Sequence, residues 1–257
     1  MARPTKGPRS SEAPSVVSGR RPVLELLKAG RSAERILISR DLAPSSIVGE
    51  IRKRAEGAAI PVRLVPKEQV DRSAGGTNHQ GVVAIAGEYR YEPLERLLSQ
   101  PSPSLLFLDG LTDPHNLGSL LRSADGAGFA GVVIPAHRSV GVTTAVRRVS
   151  AGAAEVVPVA RVTNLGRALD EAQRAGVWLV GMDEKAEHDV YTSPALEPPV
   201  GLVLGSEDRG LSPNVKKRCD DVVRIPSRGR IASLNVAVAG AVAMFEIARR
   251  RDASATL

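Results

Sequence analysis

Apolar and polar positions along the chain follow two alternating periods. Apolar residues three or four apart, as in Val23, Leu26 and Leu27, predict helices, and short apolar runs such as 105–108 predict buried strands. The two patterns take turns from about residue 20 to residue 251. Strands separated by helices favour a mostly parallel sheet with helices on both faces, whose ligands bind at the carboxyl ends of the strands. The sequence therefore predicts an α/β fold.

The predicted elements fall into two groups separated by a proline-rich stretch. In the first group they are helices at 20–29, 45–56 and 67–73 and strands at 35–38, 62–65 and 80–85. In the second they are strands at 105–108, 132–134, 156–159, 178–180, 200–204 and 222–225 and helices at 116–125, 143–152, 164–175, 213–218 and 233–251. Pro93, Pro101 and Pro103 lie between the groups and are typical of a linker. We expect a small α/β domain at 15–90, a linker at 91–104 and a larger domain at 105–252.

The segment 1–14 is rich in proline, serine and basic residues and contains no apolar stretch that could serve as the core of a signal peptide. The longest apolar run of the chain, 236–245, has ten residues, about half of the roughly 20 that cross a bilayer. We therefore expect a disordered basic tail, no membrane partner and a cytoplasmic protein.

Composition narrows the possible sites. The chain has 257 residues, of which 42% are hydrophobic, which is enough for a sizeable core. Its single cysteine, Cys219, excludes internal disulfides and any site with several cysteine ligands. The four histidines show no metal-ligand spacing, so we expect no metal site.

The net charge of +7 is unevenly distributed. Residues 1–21 carry +4, residues 22–92 carry +2 and the rest carries +1. Aromatic residues are only 3% of the chain, too few for a base-stacking platform, so we expect contacts with nucleic acid mainly through phosphates and shape. Local basic clusters at 147–148, 216–218 and 228/230 are expected to contribute to them.

The glycines of 126–131 match the G-x-G-x-x-G pattern of dinucleotide sites, but in the wrong context. That pattern requires a strand before it and a helix after it, whereas here a predicted helix precedes and a predicted strand follows. We therefore expect Gly126 or Gly128 to end the helix in a left-handed conformation.

Three loops of the second domain place polar residues beside predicted strands and helices. The first contains Asn116 and is followed by a helix on which Arg122 lies outside the apolar stripe. The second contains Gly205 and Glu207 at the end of an apolar strand, where glycine permits close approach of a ligand. Structural roles are also available, because Asn116 could cap its helix, Arg122 could be a solvated charge and Glu207 could belong to an ordinary turn.

The third loop contains Ser233 and Asn235 before an apolar helix. Ser233 is a natural helix N-cap, which would by itself account for it. Asn235 stands between Leu234 and Val236, where a buried amide would require hydrogen-bond partners.

Together, the stretches DPHNLG…LRSADGAG, LVLGSEDRG and IPSRGRIASLNVAVA resemble the three motifs of the SpoU/TrmH family of RNA ribose 2′-O-methyltransferases of the SPOUT superfamily. The first domain resembles the L30e-like RNA-binding module that precedes many such enzymes. NHQGVVA at its end is similar to the corresponding stretch of the bacterial 23S rRNA guanosine methyltransferases. Thiostrepton-resistance enzymes, which modify a 23S adenosine, share this layout.

The resemblance implies a C-terminal trefoil knot, a homodimer and S-adenosylmethionine (SAM) as the cofactor. The residues that match the family's cofactor-binding backbone positions are Gly205, Ile225 and Leu234. Those that match its catalytic polar residues are Asn116, Arg122, Glu207, Ser233 and Asn235. A guanidinium is charged at neutral pH, so we expect Arg122 to hold phosphate and to stabilise negative charge on the ribose oxygen rather than to act as a base.

The resemblance predicts RNA, not DNA, as the partner, with a 23S rRNA guanosine as the substrate. A 23S adenosine or a tRNA would undergo the same chemistry, so both remain alternatives. A non-catalytic RNA-binding protein is a third alternative, in which the second domain would serve only in dimerisation.

Overall fold

The computed structural model describes residues 15–76, 78–229 and 233–254, and these residues form two β-sheets of different size. The predicted tail at 1–14 and Arg230, a member of one predicted basic cluster, lie outside the described residues.

The smaller sheet is built from the first part of the chain. Its elements are β1 (Ser15–Ser18), α1 (Arg20–Lys28), β2 (Ala33–Ser39), α2 (Ser46–Gly57), β3 (Val62–Val65), α3 (Lys67–Ala74) and β4 (Val82–Ala86). The strand order is β1-β4-β2-β3; β2 and β3 are parallel, and β4 is antiparallel to β1 and β2. The strand β1 was not predicted, because two valines between serines give too short a pattern to identify.

The larger sheet contains the second part of the chain. Its strands are β5 (Ser104–Leu108), β6 (Gly131–Pro135), β7 (Val159–Val162), β8 (Trp178–Met182), β9 (His188–Asp189), β10 (Val200–Leu204) and β11 (Asp221–Arg224). Their order is β7-β6-β5-β10-β8-β11-β9, and every adjacent pair is parallel. The mostly parallel sheet predicted from the sequence is confirmed.

Helices cover both faces of this sheet. They are α4 (Leu94–Leu98), α5 (Pro114–Gly126), α6 (Thr144–Val149), α7 (Ala153–Val156), α8 (Leu165–Arg174), α9 (Pro213–Lys216) and α10 (Val236–Ser254). One face packs against α5, α6, α7 and α10, and the other packs against α4, α8 and α9. All five residues of β5 and of β10 are buried, as expected for central strands covered on both sides.

The helix predicted at 143–152 is two helices, α6 and α7. Ala151 and Gly152 between them have φ values of +53° and +109°, which interrupt a right-handed helix. The following strand also begins later than predicted, at Val159, because Val156 still belongs to α7.

The connection 91–104 is packed on the larger sheet. It contains α4, whose Leu94 and Leu97 are buried in the core beneath that sheet. Glu92 also donates its backbone N–H to the carbonyl of Val159 over 2.8 Å.

The glycine-rich stretch 126–131 ends α5, as predicted. Gly126 is the last residue of the helix, and Gly128 takes the left-handed φ of +66°. The backbone then enters β6 directly, so these glycines do not open a helix towards a ligand.

The C-terminal helix α10 is attached to the segment between β8 and β10 by a buried acid. Glu246, 8% exposed, accepts hydrogen bonds from Arg249 and Arg250. Arg250 in turn donates to the carbonyls of Val190 and Ser193. Hydrogen bonds from Arg249 and Arg250 lower the pKa of Glu246 to about 2.

We expect Glu246→Gln to reduce the free energy of unfolding at pH 7 by about 1–3 kcal/mol, because both arginines lose a charged partner. The folded-state pKa is depressed, so the contribution of Glu246 is complete above its usual pKa of 4.5 and is lost as the pH falls towards 2. The variant should therefore lose less stability than the wild type between those pH values. Chemical unfolding followed by circular dichroism measures both effects. Glu171→Gln, which removes an exposed pair with Arg167, is the control, and equal behaviour of the two variants would contradict the assignment.

Candidate active site

A cavity of about 640 Å³ opens where the carboxyl ends of β8, β10 and β11 meet the start of α10. Residues that follow each strand, together with the turn before α10, line it: 182–185 after β8, 204–210 after β10, 223–225 and 227 at the end of β11, and 233–236 and 239 from the α10 side. These three strands are neighbours in the sheet order. The cavity therefore lies at the edge where a parallel sheet binds ligands.

The three residues expected to hold the cofactor through their backbones line this one cavity: Gly205, Ile225 and Leu234. Leu234 is 49% exposed, although it is apolar. Met182, Leu204 and Val236 add further apolar surface to the lining.

Gly205 is required by the loop that follows it. A Cβ atom on Gly205 would lie 2.0 Å from the carbonyl carbon of Gly210. The loop turns back tightly because Ser206 and Gly210 exchange two backbone hydrogen bonds. The absence of a side chain at Gly205 thus permits the turn that places Glu207 beside the cavity.

Asn116, Glu207 and Asn235 form one hydrogen-bonded chain. The Asn116 Nδ2 donates to Glu207 Oε1 over 2.7 Å, and the Asn235 Nδ2 donates to Asn116 Oδ1 over 3.0 Å. Asn116 is buried, whereas Glu207 and Asn235 line the cavity. The structure therefore brings together three of the five predicted catalytic residues, one from each sequence motif.

The direction of this chain is determined by the N-terminus of α10. The Asn235 Oδ1 accepts the backbone N–H groups of Ala237 and Val238, over 2.9 and 3.3 Å. Its amide nitrogen must then face Asn116, which leaves the Asn116 nitrogen to face Glu207. Each hydrogen bond of the chain is donated in the direction of Glu207, so the positive ends of the N–H dipoles point towards the carboxylate.

Asn235, not Ser233, caps α10. The helix begins at Val236, three residues later than predicted, and Ser233 is exposed on the cavity wall. Asn116 likewise does not cap α5, because Asp113 Oδ1 accepts the N–H of His115 there. Asparagine and serine are both common at the N-cap position of a helix. The path of the backbone into each helix determines which residue takes that position.

Arg122 does not line the cavity. It is exposed on α5, six residues after Asn116. That separation corresponds to a rise of about 9 Å and a rotation of about 240° along a helix, so the two side chains point in different directions. Within one chain, Arg122 is therefore separate from the other predicted catalytic residues.

Three of the predicted RNA-binding cations have acidic partners within the chain. Arg147 is buried with Glu155. Lys216 pairs with Asp183 at 2.5 Å, and Arg218 pairs with Asp170 at 2.8 Å. The expected contribution to RNA binding is therefore wrong for the buried Arg147, whereas it stays a prediction for Lys216 and Arg218, whose side chains are 45% and 30% exposed.

Sequence reasoning missed the cavity wall after β8. Asp183 accepts hydrogen bonds from Lys216 Nζ and from the backbone of Lys185, which lower the pKa of its carboxyl group. The signal was an acidic pair, Asp183 and Glu184, at the carboxyl end of a strand, the edge at which parallel sheets bind ligands.

Among the residues that the structure describes, no group of three or more histidine, cysteine or acidic side chains could hold a metal ion. None of the described helices is both long and apolar enough to cross a membrane.

Comparison with protein families gives two matches that together span most of the chain. Residues 103–245 match the SpoU rRNA methylase family. Residues 16–92 match the substrate-binding domain of RNA 2′-O-ribose methyltransferases.

Individual relatives agree with these matches. A TrmH family tRNA/rRNA methyltransferase of Bacillus subtilis, YacO, is 39% identical over 92% of this chain and 96% of its own length. The 23S rRNA (guanosine-2′-O-)-methyltransferase RlmB of Vibrio parahaemolyticus is 41% identical over 76% of this chain and 80% of its own. The crystal structure of an AdoMet-bound rRNA methyltransferase of Sinorhizobium meliloti superposes with a TM-score of 0.79 at 26% identity, covering 92% and 87% of the two chains.

The capping role of Asn235 predicts a loss of stability that Ser233 does not share. Asn235→Ala should reduce the free energy of unfolding by about 1 kcal/mol, because two helix N–H groups and Asn116 lose a partner. Ser233→Ala should change it by less than about 0.5 kcal/mol, because an exposed serine outside the helix contributes little. Chemical unfolding of both variants measures the difference. A greater loss of unfolding free energy in Ser233→Ala than in Asn235→Ala would show that Ser233, not Asn235, caps α10.

Proposed function

The chain belongs to the SpoU rRNA methylase family and is an RNA 2′-O-ribose methyltransferase, and from this premise we propose that it methylates a guanosine of 23S rRNA with SAM as the methyl donor. The observation that supports ribose methylation at this cavity is the hydrogen-bonded chain from α10 to Glu207 beside it. A ribosomal substrate also implies a cytoplasmic location.

The cavity fits a nucleoside-containing cofactor. Its volume of about 640 Å³ lies within the range of cofactor pockets. Apolar side chains on its walls suit the adenine ring, and Gly205, Ile225 and Leu234 would hold SAM through their backbones. When bound, SAM supplies a methyl group already activated by its positive sulfur.

The protein's own residues would position the ribose. Glu207 has one oxygen occupied by Asn116 and can accept a further hydrogen bond, so its carboxylate can receive the hydroxyl of the substrate. Asn116 and Asn235 hold that carboxylate in place before the substrate arrives, which reduces the cost of orientation. Ser233, on the cavity wall, would contact the substrate or SAM.

A guanidinium close to the ribose would complete the site. Since Arg122 does not line the cavity of its own chain, we assign it to the cavity of a second copy in a homodimer. There it would hold a phosphate and stabilise the negative charge that develops on the attacking oxygen.

The surface of α10 supports this homodimer. Leu234, Val238 and Phe245 are each about half exposed, although they are large and apolar. Phe245 packs over Gly126, one helical turn after Arg122. The apolar face expected to meet the partner therefore adjoins Arg122.

The guanosine assignment rests on the similarity to RlmB, whose name states that substrate. The name of YacO includes both tRNA and rRNA, which makes tRNA the second candidate. A 23S adenosine remains the third.

We expect the protein to transfer methyl groups from labelled SAM to total rRNA, with the label mapping to one guanosine ribose of 23S rRNA. Asn116→Ala should reduce the rate about 100-fold or more, because the carboxylate loses its orientation, while Arg167→Ala, an exposed position on α8, should leave it unchanged. Label on an adenosine or on tRNA alone would refute the guanosine assignment without affecting the enzyme class. No transfer to any RNA would refute the proposed function.

Mixed dimers test the position of Arg122. If Arg122 acts across the interface, a mixture of Arg122→Ala and Asn116→Ala chains contains heterodimers with one intact site. After exchange of subunits, we expect about a quarter of the wild-type activity, because half of the dimers are mixed and each has one active site. If Arg122 acted within its own chain, the mixture would be as inactive as either variant alone.

A further inference from the structure

The two domains meet at a cluster of aromatic and charged side chains. The chain has only three tyrosines, and two of them, Tyr89 and Tyr91, lie at this meeting point. Their rings make an edge-to-face contact with centroids 5.0 Å apart. We call the cluster of Arg31, Tyr89, Tyr91, Arg147 and Glu155 the joint.

Arg31 of the substrate-binding domain makes three hydrogen bonds in the joint, one of them to the methyltransferase domain. It donates to the carbonyl of Arg90 over 2.9 Å, to that of Glu155 over 3.4 Å and to the hydroxyl of Tyr89 over 3.4 Å. Its guanidinium also lies 4.9 Å from the centre of the Tyr89 ring. The bonds to Tyr89 and Arg90 stay within the substrate-binding domain and hold the guanidinium in place, and the bond to Glu155 crosses to the methyltransferase domain.

Tyr91 continues this connection towards the active site. Its hydroxyl accepts the N–H of Val142 over 3.0 Å. The loop containing Val142 is bound to the motif loop before α5, because Ser139 and Val140 both donate to the carbonyl of Leu111. The joint is therefore linked by hydrogen bonds to the loop that leads into the Asn116 helix.

A buried ion pair lies on the other side of Tyr89. The side chains of Arg147 and Glu155 are 4% and 1% exposed, with Arg147 Nε 3.3 Å from Glu155 Oε1. Their geometry is not that of a hydrogen bond, and the Arg147 guanidinium lies 5.4 Å from the centre of the Tyr89 ring. Burial raises the pKa of Glu155. The contact of Arg147 with the Tyr89 ring crosses between the domains and places a buried charge at a fixed position against the substrate-binding domain.

Two backbone contacts extend the same surface. The N–H of Val16 donates to Thr144 Oγ1 over 3.3 Å. Gly152 packs directly on α1, where a Cβ atom would lie 3.4 Å from Pro22 and Glu25. Contacts thus run from β1 along α1 to Arg31.

We propose that the joint holds the RNA-binding domain in one fixed orientation on the methyltransferase domain. The protein thereby fixes the distance between the RNA element that the first domain binds and the ribose that the second domain methylates. Arg31 and Tyr91 are positioning residues in this scheme, because they act through the domain alignment and the motif loop. The proposal rests on the proposed function for its substrate and on the structure alone for its rigidity.

Arg31→Lys tests the joint, because it keeps the charge and removes the planar fork. We expect backbone hydrogen exchange at Val142 and Glu92 to become about tenfold faster than in the wild type. For a 23S rRNA substrate, kcat should fall about tenfold while KM changes less than twofold, because the RNA contacts remain and only their alignment is lost. SAM should still bind with wild-type affinity and stoichiometry, which excludes a loss of folded sites. Tyr91→Phe, which removes only the acceptor of Val142, should accelerate exchange at Val142.

Arg35→Lys is the matched control, since Arg35 lies in the same domain and its side chain is 44% exposed. If Arg31→Lys exchanged no faster than this control, the rigid joint would be refuted. Faster exchange with an unchanged kcat would refute its role in positioning the ribose. If the wild-type protein transferred no methyl group, the proposed function would be refuted instead. The hydrogen-exchange measurement would still show whether the joint is rigid.

Discussion

The first turn of α10 orients the polar site. Its free N–H groups need an acceptor, and the Asn235 oxygen supplies one. With its oxygen bound to the helix, Asn235 turns its amide nitrogen towards the Asn116 oxygen. The Asn116 nitrogen then faces Glu207 and donates to it. A requirement of helix structure thus places a carboxylate at the edge of the cavity, with its donors already in position before any ligand binds.

The larger sheet brings these three residues together, although they come from distant parts of the chain. β5 and β10 are neighbours, so the loops that follow them lie side by side. Asp109 reinforces this arrangement, because its N–H donates to Leu204 and its carboxylate accepts the N–H of Ser212 over 2.7 Å. The Gly205 turn is held against the motif loop before α5, which explains how Glu207 can reach Asn116.

Much of this architecture could be predicted from the sequence. The strands β3 and β10 have the predicted bounds, because proline or glycine stands directly before and after each of them. The motif residues of the cavity were identified through their resemblance to a family. The cap at Asn235 could not be predicted, since Ser233 has a similar propensity and the choice depends on how the chain enters α10. The separate position of Arg122 follows from the geometry of α5 relative to the whole sheet, which no local pattern contains.

The distribution of charge explains why alignment matters in this protein. The catalytic half of the chain is nearly neutral, and three cations of its basic clusters, Arg147, Lys216 and Arg218, have acidic partners. Fewer free cations mean fewer phosphate contacts and a weaker general attraction to RNA. The affinity of such a domain for RNA increases more when a second domain binds the same RNA at the same time. The binding free energies of two linked domains add only if their geometry allows both to bind. The small net charge of this domain therefore makes a fixed orientation of the two domains more valuable, and the buried Arg147 contributes to that orientation directly, through its contact with Tyr89.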